Sequence, residues 1–155
     1  RLVVTPTLLR ELIRLGPLRD TAPALRYLHC SGEALPLPLA WEALRGVGLG
    51  FEALLNIYGS TEVGADVTCA VVASEADLGA AAPYALAGCP VTNCAVRLLA
   101  PRDDGSWAEA EEGEIFVAGP QVAAGYVGDT LGLGLGLGSG FESGFGGSPF
   151  CWLSP

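Results

Sequence analysis

The sequence predicts an α/β fold in which a parallel sheet with helices is followed by a strand-rich second part. In the first 60 of its 155 residues, short apolar runs alternate with segments whose leucines recur at helical spacing. The later apolar runs are short and are separated by Gly, Pro and Asp, which is typical of a mixed or antiparallel sheet. Half of the residues are hydrophobic, enough for the core of one domain. No apolar run approaches the roughly 20 residues that span a membrane.

The first part is predicted to contain two helices and three strands. Leucines and an isoleucine recur at helical spacing over residues 8–15, Thr5 or Thr7 can cap this helix, and Gly16 followed by Pro17 ends it. The other elements predicted there are strands at 2–4, 25–30 and 51–55 and a helix at 39–45.

The second part is predicted to be mostly strands and turns. The Asp103–Gly105 segment is a turn signal, and the acidic residues 109–112 predict a solvated loop. An alanine-rich connection covers residues 73–87. The predicted strands are 67–72, 95–99 and 113–119.

The composition changes sharply after residue 129. Residues 131–138 repeat Leu-Gly four times, and Gly, Ser and Phe dominate as far as Pro149. Glycine at every second position costs backbone entropy and gives a strand nothing to pack on one face. The sequence therefore predicts a partial domain over residues 1–129 and a disordered Gly/Leu/Ser-rich tail over 130–155.

The net charge limits the classes of partner that the protein can bind, and the cysteine content indicates its compartment. The net charge is −9 with eight basic residues, which argues against nucleic acid or an anionic membrane as a main partner. The five cysteines form no C-x-x-C pair, and the single histidine is not spaced with them as in a zinc site. This favours a reducing compartment, the cytoplasm, although a Cys89–Cys94 disulfide remains open.

The richest chemistry lies in residues 56–62, Asn-Ile-Tyr-Gly-Ser-Thr-Glu. An aromatic ring can stack on a base, a hydroxyl can donate to a phosphate, and a carboxylate can hold Mg²⁺. The segment favours nucleotide binding. In isolation Tyr58 could equally be a core aromatic residue and Glu62 a charge at a helix N-terminus.

Four stretches of the chain carry a family resemblance when they are taken together. They are, in order, Ser31–Leu35, Asn56–Glu62, Gly88–Pro90 with Asn93 and Val96, and Gly113–Ile115 with Gly119, Val122, Gly125 and Tyr126. Together they resemble the AMP-forming adenylate synthetases, which include acyl-CoA synthetases and the adenylation domains of peptide synthetases. The fold that this implies is part of their large N-terminal domain. The placement within the family resembles the plant and algal acyl-activating branch, related to aminoadipate or β-alanine activators.

The resemblance implies a two-step ligase that uses ATP and Mg²⁺. A carboxylate attacks the α-phosphate to give an acyl-adenylate, and the thiol of CoA or of a phosphopantetheine carrier domain then takes the acyl group. By analogy Tyr58 stacks on adenine, Thr61 binds the α-phosphate and Glu62 holds Mg²⁺, so Thr61 and Glu62 are the catalytic candidates. The nucleotide-binding candidates are Gly32, Glu33, Asn56, Tyr58, Gly59 and Thr61.

The resemblance also places a carboxylate substrate beside His29, Ser31, Ile57, Ala65 and Asp66. His29 and Asp66 are polar for a pocket that usually receives a fatty tail, so we expect a small polar or amino-bearing acid. The alternative is that His29 is a satisfied interior histidine and that Asp66 caps a turn.

Several family segments are missing from the sequence: the upstream phosphate loop, the ribose-binding Asp and the lid domain with its catalytic Lys. We therefore expect a fragment that is inactive alone. Two alternatives remain: a non-catalytic interaction remnant, and another nucleotide-binding α/β protein such as a dehydrogenase. The second is disfavoured because the sequence has no Gly-x-Gly-x-x-Gly between a strand and a helix.

Overall fold

The computed structural model describes residues 1–16, 20, 22–45, 52–78, 83–123 and 150–153. They fall into two compact units, the first drawn from residues 1–59 and 68–89 and the second from residues 60–67 and 90–155. Within these stretches no helix is both long and apolar enough to cross a membrane.

The first unit is built on a five-stranded sheet. The first three strands run parallel, as predicted, whereas the fourth is antiparallel to the third. The third strand is longer than expected, because the first three residues of the Asn56–Glu62 motif belong to it. The strands, which lie in chain order across the sheet, are β1 (Leu2–Val4), β2 (Tyr27–Ser31), β3 (Ala53–Tyr58), β4 (Thr68–Val72) and β5 (Cys89–Pro90).

Two helices pack on one face of this sheet, α1 (Pro6–Leu15) and α2 (Leu37–Arg45). The side chain of Thr5 caps α1 by accepting a hydrogen bond of 3.2 Å from the Leu8 amide. Pro6 suits the first helical position because the amide there has no partner within the helix. Both predicted helices are confirmed, and each begins two residues earlier than the leucine spacing indicated.

The core of the first unit follows from strand alternation. Leu28 and Cys30 of β2 are fully buried, as is Leu54 of β3, and all three face the helices. From the helices, the fully buried partners are Leu9, Ala40 and Ala43. Burial raises the pKa of the Cys30 thiol to about 12, so this cysteine behaves as a small apolar residue.

The opposite face of the sheet, here the open face, carries apolar side chains that the described residues do not cover. Val3 is 62% exposed and Val71 is 61% exposed. Strand register places them in one row with His29 and Leu55. Ala53 shares this side of the sheet but is buried, so the open face consists of Val3, Tyr27, His29, Ser31, Leu55, Ile57, Cys69 and Val71.

The second unit contains an antiparallel sheet, which confirms the strand-rich second part. Leu99, Phe116 and Ala118 form its small buried core together with Trp107. The rings of Trp107 and Phe116 meet edge to face at a centroid distance of 5.3 Å. The strands lie in the order β7-β6-β8-β9, with β6 (Ala95–Pro101), β7 (Trp107–Glu109), β8 (Glu114–Ala118) and β9 (Phe150–Leu153).

Two parts of the second unit differ from the sequence prediction. The predicted acidic loop begins inside a strand, because Glu109 pairs with Leu99 at the end of β7. Residues 150–153, predicted as part of a disordered tail, form β9 along β8. Phe-Cys-Trp-Leu has high strand propensity, which fits that pairing. The remainder of the predicted tail, residues 130–149 and 154–155, lies outside the described residues.

Gly88 lies very close to the backbone of Cys69 in β4. Its φ is +82°, and a Cβ there would overlap the backbone carbonyl of Cys69. We expect Gly88→Ala to destabilise the chain by at least about 2 kcal/mol, since backbone strain and overlap with rigid backbone add. Chemical denaturation of the purified chain measures this.

Gly32→Ala is the matched control for this substitution. Gly32 lies in the same unit and has a φ of +85°, but the nearest atom to its Cβ would be 3.8 Å away. The Gly32→Ala variant should therefore lose stability through backbone strain alone. Equal losses of stability for the two variants would contradict the close approach at Gly88.

Candidate functional site

A cleft of about 280 Å³ opens in the first unit where β2 and β3 end. Because these strands are parallel, their carboxyl ends meet at the same edge of the sheet, where ligands of α/β proteins commonly bind. Three segments line the cleft: the turn 32–35, residues 56–59, and residues 84, 85 and 87.

The first wall is the turn that follows β2. Gly32 adopts a left-handed conformation there, and Leu35 is buried in the core. The Glu33 carboxylate accepts hydrogen bonds from the Thr7 hydroxyl at 2.7 Å and the Thr7 amide at 3.1 Å. These bonds hold the pKa of Glu33 below its usual value. Glu33 therefore ties the turn to the N-terminus of α1, where backbone amides lack helical partners.

The second wall is the end of β3. Asn56 is 7% exposed, and its side-chain amide donates a hydrogen bond of 2.8 Å to the Leu86 carbonyl. Tyr58 is half-buried, and burial raises the pKa of its phenol. The phenol is therefore neutral at physiological pH and offers both an apolar ring and a hydroxyl. Gly59, which has no side chain, completes this wall.

The third wall was missed by the sequence analysis, which treated residues 73–87 as a connection. The Ala85 amide donates to the Leu35 carbonyl at 2.9 Å, and the Thr68 hydroxyl donates to the Ala87 carbonyl at 2.6 Å. Together with Asn56, these bonds fix residues 85–87 beside the first two walls. The signal that could have identified this wall is Pro83-Tyr84, a ring-bearing pair in a run of alanines.

The rest of the Asn56–Glu62 motif belongs to the second unit. Thr61 is exposed and opens a 3₁₀ helix, Thr61–Val63. The Ser60 hydroxyl donates to the Glu62 carboxylate, and the Glu62 carbonyl accepts from the Ala123 amide at 2.7 Å. Side chain and backbone thus both hold Glu62 in place.

Mg²⁺ typically binds through one or two carboxylates together with substrate phosphates. In the described part of the chain, no three His, Cys, Asp or Glu residues are grouped as a cage that could hold a metal ion. Glu62 is the carboxylate of the motif, and a single carboxylate of this kind fits a metal that is carried mainly by phosphates.

The five predicted substrate residues separate into two groups. His29, Ser31 and Ile57 share the open face of the first unit, where Ser31 and Ile57 are register partners. Ile57 also borders the cleft. Cys69, which the sequence analysis did not select, pairs with Ile57 on the same face.

Ala65 and Asp66 form the second group and are exposed in the second unit. Ala65 has a φ of +87°, a strained value for a residue with a Cβ. The Ala65 amide donates to the Ser60 carbonyl at 2.9 Å, which closes the turn.

The lowered pKa of Glu33 leads to a pH-dependent prediction. The ionised carboxylate stabilises the fold above its ordinary pKa of 4.5, and this stabilisation is lost as the pH falls through the lowered value. We expect Glu33→Gln to reduce stability at pH 7 and to have progressively less effect toward pH 3. Unfolding midpoints across this range measure the difference.

Glu42→Gln provides the control, because Glu42 is an exposed carboxylate on α2 in the same unit. A loss in Glu33→Gln that stays constant from pH 7 to pH 3 would show that ionisation of Glu33 does not stabilise the turn.

Comparison with known proteins identifies the family of this chain. The AMP-binding enzyme family matches residues 2–127. The beta-alanyl-bioamine nonribosomal peptide synthetase ebony of Drosophila melanogaster is 38% identical over 133 residues, which cover 82% of this chain and 15% of ebony. The chain thus spans a small part of this relative's length.

Solved structures of related proteins have a fold similar to that of this chain. A nonribosomal peptide synthetase protein containing adenylation and PCP domains superposes with a TM-score of 0.67 at 29% identity, over 84% of this chain and 25% of that one. The N-terminal subdomain of Klebsiella oxytoca NpsA gives a TM-score of 0.71 at 18% identity, over 98% of this chain and 36% of that one, and supports the fold alone. The chain belongs to the AMP-binding enzyme family, which argues against the dehydrogenase alternative.

Proposed function

We propose that this chain is the nucleotide-binding part of an ATP-dependent ligase that activates a carboxylic acid. The acid would attack the α-phosphate of ATP, releasing pyrophosphate and forming an acyl- or aminoacyl-adenylate. A thiol would then take the acyl group and release AMP. The observation that carries the proposal is the cleft, because two of the matched motifs, 31–35 and 56–62, contribute neighbouring walls to it.

The proposed nucleotide contacts are assigned from the groups that line the cleft. Tyr58 presents a half-buried ring to the cleft, which suits stacking on adenine. Gly32 and Gly59 allow a base to approach the backbone closely. Glu33 and Asn56 would act indirectly, because their polar atoms already bond to Thr7 and Leu86.

Thr61 and Glu62 are proposed to act on the phosphates. The exposed Thr61 hydroxyl can donate to the α-phosphate, and the Glu62 carboxylate can hold Mg²⁺. When bound, this metal would neutralise phosphate charge as it develops in the transition state. Ser60 would support this role by orienting the carboxylate through its hydrogen bond.

The substrate is proposed to be a small polar or amino-bearing acid. His29 and Ser31 are polar residues of the open face beside Ile57, and Asp66 is exposed in the second unit. Ebony is a beta-alanyl-bioamine nonribosomal peptide synthetase, and this similarity supports a small amino acid such as β-alanine. The relative with adenylation and PCP domains supports a phosphopantetheine carrier as the acceptor, and CoA is the alternative.

We infer that the protein works in a reducing compartment, the cytoplasm. Cys89 and Cys94 are not joined in a disulfide, so the pairing left open by the sequence is not formed.

A chimera tests the proposal. Residues 2–127 would replace the matching segment of the ebony adenylation domain, and ATP–pyrophosphate exchange would be measured with β-alanine. We expect exchange by the chimera, and a loss of about 100-fold or more in Thr61→Ala and in Glu62→Gln. The 155-residue chain alone should give no exchange, since it spans only a small part of its relatives.

Thr92→Ala and Glu111→Gln are matched controls, because both residues are exposed in the second unit. Full exchange by the Thr61 and Glu62 variants would contradict the phosphate and metal roles. A folded chimera without exchange would instead favour the second candidate, a non-catalytic interaction remnant. The exposed apolar residues of the open face are the observation that favours that candidate.

Substrate choice gives a separate prediction. If His29 or Asp66 contacts the amino group of the acid, its replacement by Ala in the chimera should reduce exchange with β-alanine by about tenfold or more. Exchange with propanoic acid, which lacks the amino group, should change little. Asp103→Asn is the control, and an unchanged preference in both alanine variants would refute the assignment.

A further inference from the structure

We propose that Tyr84 is a base-contacting residue that helps to determine the specificity of the cleft. This inference rests on the proposed function and extends it to a residue outside the matched motifs. Tyr84 lines the cleft together with Tyr58, and half of its surface is exposed. An aromatic ring that stays in contact with water beside an apolar cleft gains free energy when a flat ligand covers it.

The backbone on both sides of Tyr84 is fixed. The Leu37 amide donates to the Pro83 carbonyl at 3.0 Å, and the Ala85 amide donates to the Leu35 carbonyl at 2.9 Å. Tyr84 itself forms an antiparallel bridge with Pro36. The tyrosine is therefore attached to the entrance of α2 and is not on a freely moving loop, which lowers the entropic cost of using it for binding.

Asn56 and Thr68 extend this support and act as positioning residues. Asn56 donates to the Leu86 carbonyl at 2.8 Å, and Thr68 donates to the Ala87 carbonyl at 2.6 Å. Both side chains are less than 10% exposed. Losing either bond would remove a link between the sheet and residues 86–87 and would loosen the segment that carries Tyr84.

The lining of the cleft favours a flat neutral ring over a phosphate or an acid. Neither Lys nor Arg lines it, and its one charged residue, Glu33, is bonded to Thr7. Its volume of about 280 Å³ lies just below the roughly 300–1,000 Å³ typical of pockets for drug-sized ligands. A purine base satisfies these conditions, whereas the charged triphosphate does not.

Adenosine is the probe, because it carries the base without phosphates. Its dissociation constant for the full 155-residue chain would be measured by saturation-transfer NMR, which detects weak binding. We expect Tyr84→Ala to weaken binding about 5-fold or more, as for the loss of a base–aromatic contact. Tyr84→Phe should bind as the wild type does. Tyr27→Ala is the control, since Tyr27 lies in the same unit, is 40% exposed and does not line the cleft.

The wild-type chain supplies a second readout that needs no substitution. Intermolecular NOEs between the adenine H2 or H8 proton and the Tyr84 ring are expected, and their absence in the bound state would overturn the inference. If Tyr58→Ala weakens binding while Tyr84→Ala does not, the inference fails and the proposed nucleotide site stands. If the wild-type chain does not bind adenosine, both fail.

Discussion

The parallel register of β2 with β3 is the constraint on which the rest of the first unit depends. Leu28 lies beside Leu54 and Cys30 beside Asn56, so one buried face is continuous across both strands. A slip of one residue would expose Leu54 and bury its neighbours from the open face. Because the register is held by core burial, both strands end at the same edge, and the cleft forms there.

Two polar side chains that were predicted to bind the nucleotide instead hold together the segments that line the cleft. Glu33 is bonded to the N-terminus of α1, and Asn56 is bonded to the backbone of Leu86. Both were nucleotide-binding candidates because they lie in stretches that resemble the motifs of the family. Their hydrogen-bond partners show a different use of the same chemistry, in which a polar side chain satisfies backbone groups near a binding surface. The groups left to face a ligand are then rings and glycines.

The elements that were predicted correctly are those that depend on residues close together in the sequence. The spacing of leucines in α1, the cap at Thr5 and the apolar run of β2 are properties of neighbouring residues, and the structure confirms them. The third wall of the cleft depends on bonds between distant residues, such as Thr68 with Ala87 and Leu35 with Ala85. No spacing rule encodes such pairs. The pairing of β4 with β3 was missed for the same reason, since a run of apolar residues does not specify its partner strand.

Because side chains alternate along a strand, neighbouring residues at the end of β3 lie on opposite faces of the sheet. Asn56 and Tyr58 lie on the face that carries the helices, whereas Ile57 lies with Ser31 on the open face. Because Ile57 also borders the cleft, the proposed base contacts and the proposed acid contacts can come from consecutive residues that meet at the cleft. The register that buries Leu54 fixes both assignments at once. A change that repacks the core is therefore expected to disturb the base and acid contacts together.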